Sequence, residues 1–205
     1  MSFLFGFLVL ASACTPAAEK GDEAETTSVD TTATDDAAEP QVVASTEAYT
    51  TVILEDGIAS PRKEMKGSIG DAGITINYGS PSMKERTIWG DLVPFGELWR
   101  TGANAGTTIE ISQDVTVEGE ALPAGKYSIF TIPSEDNVIV IFNKEPEQRG
   151  TGGYNEAEDA LRVTVTPQAQ DADLETLEFM ISGDNIVMAW ANWQVPVAVA
   201  AAAAE

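Results

Sequence analysis

Apolar and polar residues alternate with a period of two through most of this chain, and that period decides what it can fold into. Ile74, Ile76 and Tyr78 alternate with Thr75 and Asn77, Ile109 and Ile111 flank Glu110, and Val115 and Val117 flank Thr116. Leu161, Val163 and Val165 alternate with Arg162 and Thr164. Leu177, Phe179 and Ile181 repeat the rhythm, and Ile186, Met188 and Trp190 continue it. Successive side chains of a strand point to opposite faces, so each run reads as a strand with one face buried and one wet. Val138 to Phe142 is apolar throughout and reads as a central strand covered on both faces. Glu118-Gly119, Pro123-Ala124-Gly125 and Ser182-Gly183-Asp184-Asn185 punctuate the runs as turns, and no segment carries a 3.6-residue apolar stripe. The prediction is an all-β domain over residues 50–198, a single antiparallel β-sandwich of about eight or nine strands. The same parity puts Trp190 and Trp193 on opposite faces of one strand.

The N-terminus reads differently. Cys14, the only cysteine, follows the apolar run from Phe3 and the small residues Ala11-Ser12-Ala13. That run is shorter than the ~20 residues that span a bilayer, and it fits the apolar core and cleavage site of a secretory signal peptide. Cleavage before Cys14 would free a thiol at a new N-terminus, so residues 1–13 read as a lipoprotein signal and Cys14 as the lipid attachment site. Two features depart from that pattern. No Lys or Arg precedes the run, which a start a few codons upstream would supply, and Ala11 stands where Leu or Val is more usual. The other reading is an ordinary signal peptide with an incidental cysteine. Behind Cys14, residues 15–49 hold nine acids against Lys20 alone and almost no aromatics. Such a stretch buries too little apolar surface to offset the entropy of ordering. It reads as a disordered tether, about 30 Å long as a coil. Residues 199–205 read as an Ala-rich tail that frays or forms a short helix.

Charge narrows the chemistry. With 33 Asp and Glu against 11 Lys and Arg, the formal net charge is −22. Nucleic-acid binding depends on neutralising phosphates with basic residues, so no nucleic-acid partner is expected. With no histidine there is no Ser-His-Asp triad and no imidazole metal ligand. With one cysteine there is no internal disulfide and no thiolate zinc site. What remains is carboxylate acid–base pairs, Ser-Lys dyads, Ca²⁺ or Mg²⁺ bound by oxygen, or binding without chemistry. No cofactor or metal is predicted.

Residues 79–106 form a connection long enough to be functional in a compact β domain. It carries Trp89, Phe95 and Trp99 among glycines and prolines, with Lys84, Arg86 and Arg100. From Arg62 to Arg100 there are six bases and five acids, an island on an otherwise acidic chain that would concentrate anions. Trp99, Arg100, Thr101 and Asn104 supply a flat ring, a planar fork and short polar groups, the parts of a carboxylate or sugar pocket. Lys84, Arg86 and Tyr127 are candidate neighbours, and no catalytic residue is assigned. The same residues also read as a hydrophobic plug closing one end of the sandwich, with Arg100 paired to a buried carboxylate. Elsewhere, Arg149-Gly150-Thr151-Gly152-Gly153-Tyr154 lacks the lysine of a phosphate loop and reads as a flexible hairpin loop. Glu156, Glu158 and Asp159 match no calcium-loop spacing and read as a solvated run.

The order of several segments is distinctive. Ser60-Pro61-Arg62, Ile74-Thr75-Ile76-Asn77-Tyr78 and Ser80-Pro81-Ser82 with Lys84 and Arg86 come first. Leu92-Val93-Pro94-Phe95-Gly96 and Trp99-Arg100-Thr101-Gly102-Ala103-Asn104 follow. Leu122-Pro123-Ala124-Gly125-Lys126-Tyr127-Ser128 and Phe142-Asn143-Lys144 complete the series. Together they resemble the bacterial envelope family called domain of unknown function 2911, over roughly residues 58–197. The resemblance implies one exported domain and assigns no activity to any position. The expectation is therefore an exported, lipid-anchored envelope protein, facing the periplasm or the surface, whose sandwich binds a small anionic or glycan ligand without catalysis. The alternative is a module that docks on an envelope partner protein, and a carboxylate-based hydrolase is the third reading.

Overall fold

The computed structural model describes residues 40–202. The expected lipid attachment site Cys14, the apolar run before it and the acidic stretch to residue 39 lie outside the described residues. One sheet has eight strands, ordered β1 (Gln41–Ser45), β2 (Tyr49–Glu55), β3 (Arg62–Ile69), β4 (Ala72–Gly79), β5 (Thr107–Ile111), β8 (Gly125–Pro133), β9 (Val138–Asn143) and β10 (Asp159–Val165). The other has four, ordered β11 (Gln168–Ser182), β12 (Asn185–Ala201), β6 (Val115–Val117) and β7 (Glu120–Leu122). Every pairing is antiparallel. The expected all-β antiparallel sandwich is what forms, with twelve strands where eight or nine were expected. Among the described residues the only helical turn is a 3₁₀ turn at Glu156–Glu158.

The alternating residues do what their period requires. Ile74, Ile76 and Tyr78 of β4, Ile109 and Ile111 of β5, and Leu177, Phe179 and Ile181 of β11 are buried in one core shared by the two sheets. Each such side chain contributes about 1.5–3 kcal/mol on burial. Hairpin turns set the register between neighbours. Between β6 and β7 the two-residue loop Glu118-Gly119 has φ of +51° and +85°. A tight turn of that hand matches the strand twist and needs positive φ at both positions. Strand β9 lies one place from the sheet edge and is buried on both faces as expected. The outer face of this sheet is covered near Phe130, whose ring meets Tyr154 edge-on at 5.0 Å.

One polar cluster ties the two sheets together. The Lys63 ammonium of β3 forms an ion pair with Glu178 of β11. The Tyr78 hydroxyl of β4 donates to Glu178 Oε2 at 2.9 Å, and Thr176 Oγ1 donates to Oε1 at 2.7 Å. Burial, together with the Glu178 charge, pushes the Tyr78 phenol well above its usual pKa.

Two segments extend beyond the domain limits read from sequence. Strand β1 begins at Gln41 within the stretch read as tether, and β12 continues to Ala201, pairing Ala200 with Thr116 and Ala201 with Val115. Between the sheets the core leaves a void of only about 20 Å³, lined by residues such as Ile109, Phe142, Phe179 and Met188. That is about the room of a single water and the walls are apolar, so a ligand has to bind outside the core.

Candidate functional site

The connection after β4 crosses from one sheet to the other before it returns. Ser80 is fully buried, donating its N–H to Pro61 O and its hydroxyl to Leu177 O at 2.7 Å. The next residues run beside β11, with Leu177 N–H donating to Pro81 O and Met83 N–H to Glu175 O. Arg86 then turns back and donates from Nε to Met83 O at 2.8 Å and from Nη2 to Ser82 O at 2.6 Å, which fixes its guanidinium. A tight loop follows, closed by Val93 N–H to Ile88 O, with both side chains in the core. The chain rejoins β8 where Trp99 and Thr131 exchange backbone hydrogen bonds.

The segment 100–106 packs directly on the end of β4. A Cβ placed on Gly79 would stand 2.1 Å from Ala103 O, so only glycine allows this approach. Thr101 and Asn104 both adopt positive φ, +55° and +61°. The Thr101 side chain is buried beneath the loop, its hydroxyl 3.2 Å from Thr131 Oγ1. Thr107 Oγ1 donates to Thr101 O, and Asn104 Nδ2 donates to Ser60 O. Both of these residues shape the loop.

All four tryptophans of the chain meet here. Trp89 stacks on Trp193 with centroids 4.7 Å apart, and Trp99 stacks on Trp190 at 5.9 Å. Trp89 meets Trp99 and Trp190 edge-on, and Phe95 lies against Trp193. Trp190 and Trp193 were expected on opposite faces of their strand, yet both join this cluster. The cause is Ala191, whose φ of +52° makes a bulge where the pairing with β11 changes register. Gln170 holds the bulge by donating to Ala191 O. Before this residue Ile186, Met188 and Trp190 face the core, and beyond it Val195, Val197 and Val199 do, so the side-chain parity reverses there.

Beside the cluster is a cleft of about 290 Å³, walled by Trp99, Trp190, Arg86, Arg100, Leu92 and Val93, with Ser60, Pro81, Gly102 and Ala103 completing it. No carboxylate lines it, on a chain with 33 of them. Arg100 is half-buried and forms no ion pair among the described residues, so the carboxylate partner expected in the plug reading is missing. Its Nε is buried without a hydrogen-bond partner. A second hollow of about 570 Å³ shares Arg86 and is lined by Trp89, Phe95 and Trp193, and by Glu85 and Asp173. The Trp89 Nε1 is also buried and unpartnered.

The family model for Protein of unknown function (DUF2911) matches residues 60–199. The chain belongs to this family. No curated protein and no solved structure matches the chain. The DUF2911 match takes in every residue of the cleft and of the aromatic cluster, while β1 and β2 precede it.

Within the DUF2911 domain, the cleft brings together three of the residues singled out in the sequence, Trp99, Arg100 and Arg86. Thr101 and Asn104 adjoin it in sequence and serve the loop. Lys84 is exposed outside the cleft, its N–H held by Glu175 Oε1. Tyr127 is buried in the core against Phe142, and its hydroxyl donates to Pro123 O at 2.8 Å. Burial and the Asp114 charge raise its phenol pKa. Trp190 and Ser60 were not anticipated, because pairing across the sandwich brings them here from distant parts of the chain.

Proposed function

We propose that this domain is a non-enzymatic binding module whose cleft takes a small anionic ligand with a flat or apolar body, such as an acidic sugar or a small carboxylate. The carrying observation is a pair of arginines that form no ion pair among the described residues, Arg86 held by two carbonyls and Arg100 with a buried, unpartnered Nε. A buried donor without a partner costs about 1–3 kcal/mol, and a ligand carboxylate would supply the acceptor. Trp99 and Trp190 offer the ring faces on which sugar rings or other flat groups pack. The volume is near the lower end of ligand sites, about 300 Å³, which fits a monosaccharide-sized ligand. Hydrolysis by paired carboxylates would need two such groups in the cleft, and its walls contain none.

In this reading the domain is exported and tethered to the membrane through lipid on Cys14, the acidic segment holding it off the surface. Docking on a partner protein is the second reading. It is favoured by edge strand β1, where Val42 and Val43 are 60% and 47% exposed.

The test is a thermal-shift and calorimetry panel of uronic acids, peptidoglycan fragments and small carboxylates. A ligand at a hundredfold its dissociation constant adds about 2.7 kcal/mol of stability. The expected result is a shift with a carboxylate that is lost in Arg100→Met and weakened in Arg86→Met, with the unliganded melts unchanged. No shift across the panel, or a shift that survives Arg100→Met, overturns the proposal.

A further inference from the structure

A second basic hollow lies on the other side of the 100–106 loop. It measures about 400 Å³ and is lined by Arg62, Lys126 and Arg149, with Asn77, Thr108 and Gln148 among the polar groups. These three cations come from the start of β3, the start of β8 and the loop after β9. They are three of the eleven Lys and Arg residues in the chain, and none forms an ion pair among the described residues. Glu147 is the one acid in the lining. Glu55 and Glu110 stand opposite Arg62 and Lys126 in the strand register.

Arg62 is the fixed element. Its Nη1 donates to Gly106 O at 3.2 Å and Ala105 O at 3.4 Å, which orients the guanidinium, and burial lowers its pKa despite the Glu55 charge. A half-buried cation held by neutral carbonyls gains from an added anion more than a fully hydrated one does. Lys126 and Arg149 are exposed and contribute charge from two further directions. Converging cations on three chain segments, with amide and hydroxyl donors between them, suit a compact multivalent oxyanion more than a planar monoanion.

We infer that this hollow is a second anion site, for a phosphate group, separate from the Trp99–Arg100 cleft and independent of what that cleft binds. Arg62 orients the anion, Lys126 and Arg149 supply the remaining charge, and Thr108 is placed to hydrogen-bond its oxygens, beside Asn77, whose Nδ2 already donates to Glu64 Oε2 at 3.2 Å.

The experiment is calorimetric titration of the whole chain with inorganic phosphate at fixed ionic strength, comparing wild type, Lys126→Gln/Arg149→Gln and Arg100→Met. The exposed pair is chosen because neither side chain makes a hydrogen bond or ion pair among the described residues, and the melts in phosphate-free buffer check that both variants fold. The expected result is saturable binding in wild type, at least tenfold weaker in the double variant and unchanged in Arg100→Met. Absence of saturable binding, equal affinity in the double variant, or a loss in Arg100→Met would each overturn the site, the last by placing the phosphate in the other cleft.

Discussion

Removing Glu178 should leave three donors without their acceptor at a polar junction between the sheets. Lys63, Tyr78 and Thr176 all converge on its carboxylate. Truncating one member of a buried ion pair costs about 3–5 kcal/mol, because the remaining charge is left desolvated. Here the side chains of Lys63 and Glu178 are 11% and 23% exposed, so some water reaches them. The low end applies, and Glu178→Leu should cost about 3 kcal/mol. For a domain of this size that lowers the melting temperature by about 6–12 °C. Replacing the ion pair and the phenol, as Lys63→Met/Tyr78→Phe/Glu178→Leu, removes two of the three stranded donors, leaves only the half-buried Thr176 hydroxyl, and should recover most of the loss, since apolar substitutes for a buried pair are often neutral. Urea denaturation followed by circular dichroism gives each value, provided the slope stays constant across the series. A single-variant loss under about 1 kcal/mol, or a triple variant as unstable as the single, would refute the reasoning.

Stability should be flat between about pH 6 and 9, because the chain has no histidine, and should fall above about pH 10. The sign follows from Tyr78 and Tyr154, whose folded-state values are raised. Tyr154 is pushed up to about 12, chiefly by burial and its hydrogen bond to Asp159. The folded state keeps these protons when the unfolded chain releases them, so stability is full below the unfolded value and lost as pH rises through the folded one. Urea midpoints across that range check it, and a midpoint that rises above pH 10 contradicts it. Gly79→Ala should displace the 100–106 loop from Ala103 O, costing about 1–3 kcal/mol and weakening ligand binding in the cleft. Paired melts and titrations would show both effects. Ala191→Val places a β-branched residue at φ +52° and should cost about 2 kcal/mol, with a shift in tryptophan emission as Trp193 moves.

The period-two runs made the sandwich legible because burial acts on side chains one at a time, and β4, β5, β10 and β11 appear where alternation placed them. The aromatic loop was legible as a place, since Trp89, Phe95 and Trp99 are close in sequence. The way it closes was hidden. Parity arguments fail across a bulge, and nothing local in Ala-Trp-Ala-Asn-Trp marks Ala191 as the residue that takes positive φ. Arg100 and Thr101 look equally suited to a pocket in sequence, yet one residue of advance along the chain sends the second into the core. Of the Arg62, Lys126 and Arg149 hollow, the charge profile marked only Arg62, at the edge of the basic island. Lys126 and Arg149 lie in an acidic half of the chain, and only the order β3-β4-β5-β8 brings the first two across the same sheet.

The gathering of every indole in one cluster also fixes what light can report about this molecule. Emission from the four rings samples the neighbourhood of Trp99 and Trp190 and does not report directly on the separate Tyr127–Phe142 contact. Stacked rings at 4.7 Å and 5.9 Å, held in a fixed asymmetric packing, should give a near-ultraviolet dichroism band. A melt followed in that band records when this stack comes apart, whereas the backbone amide signal records loss of the sheets. Superimposed curves mean that the indole stack and the sheets unfold as one unit, and separated curves measure how independently the stack opens.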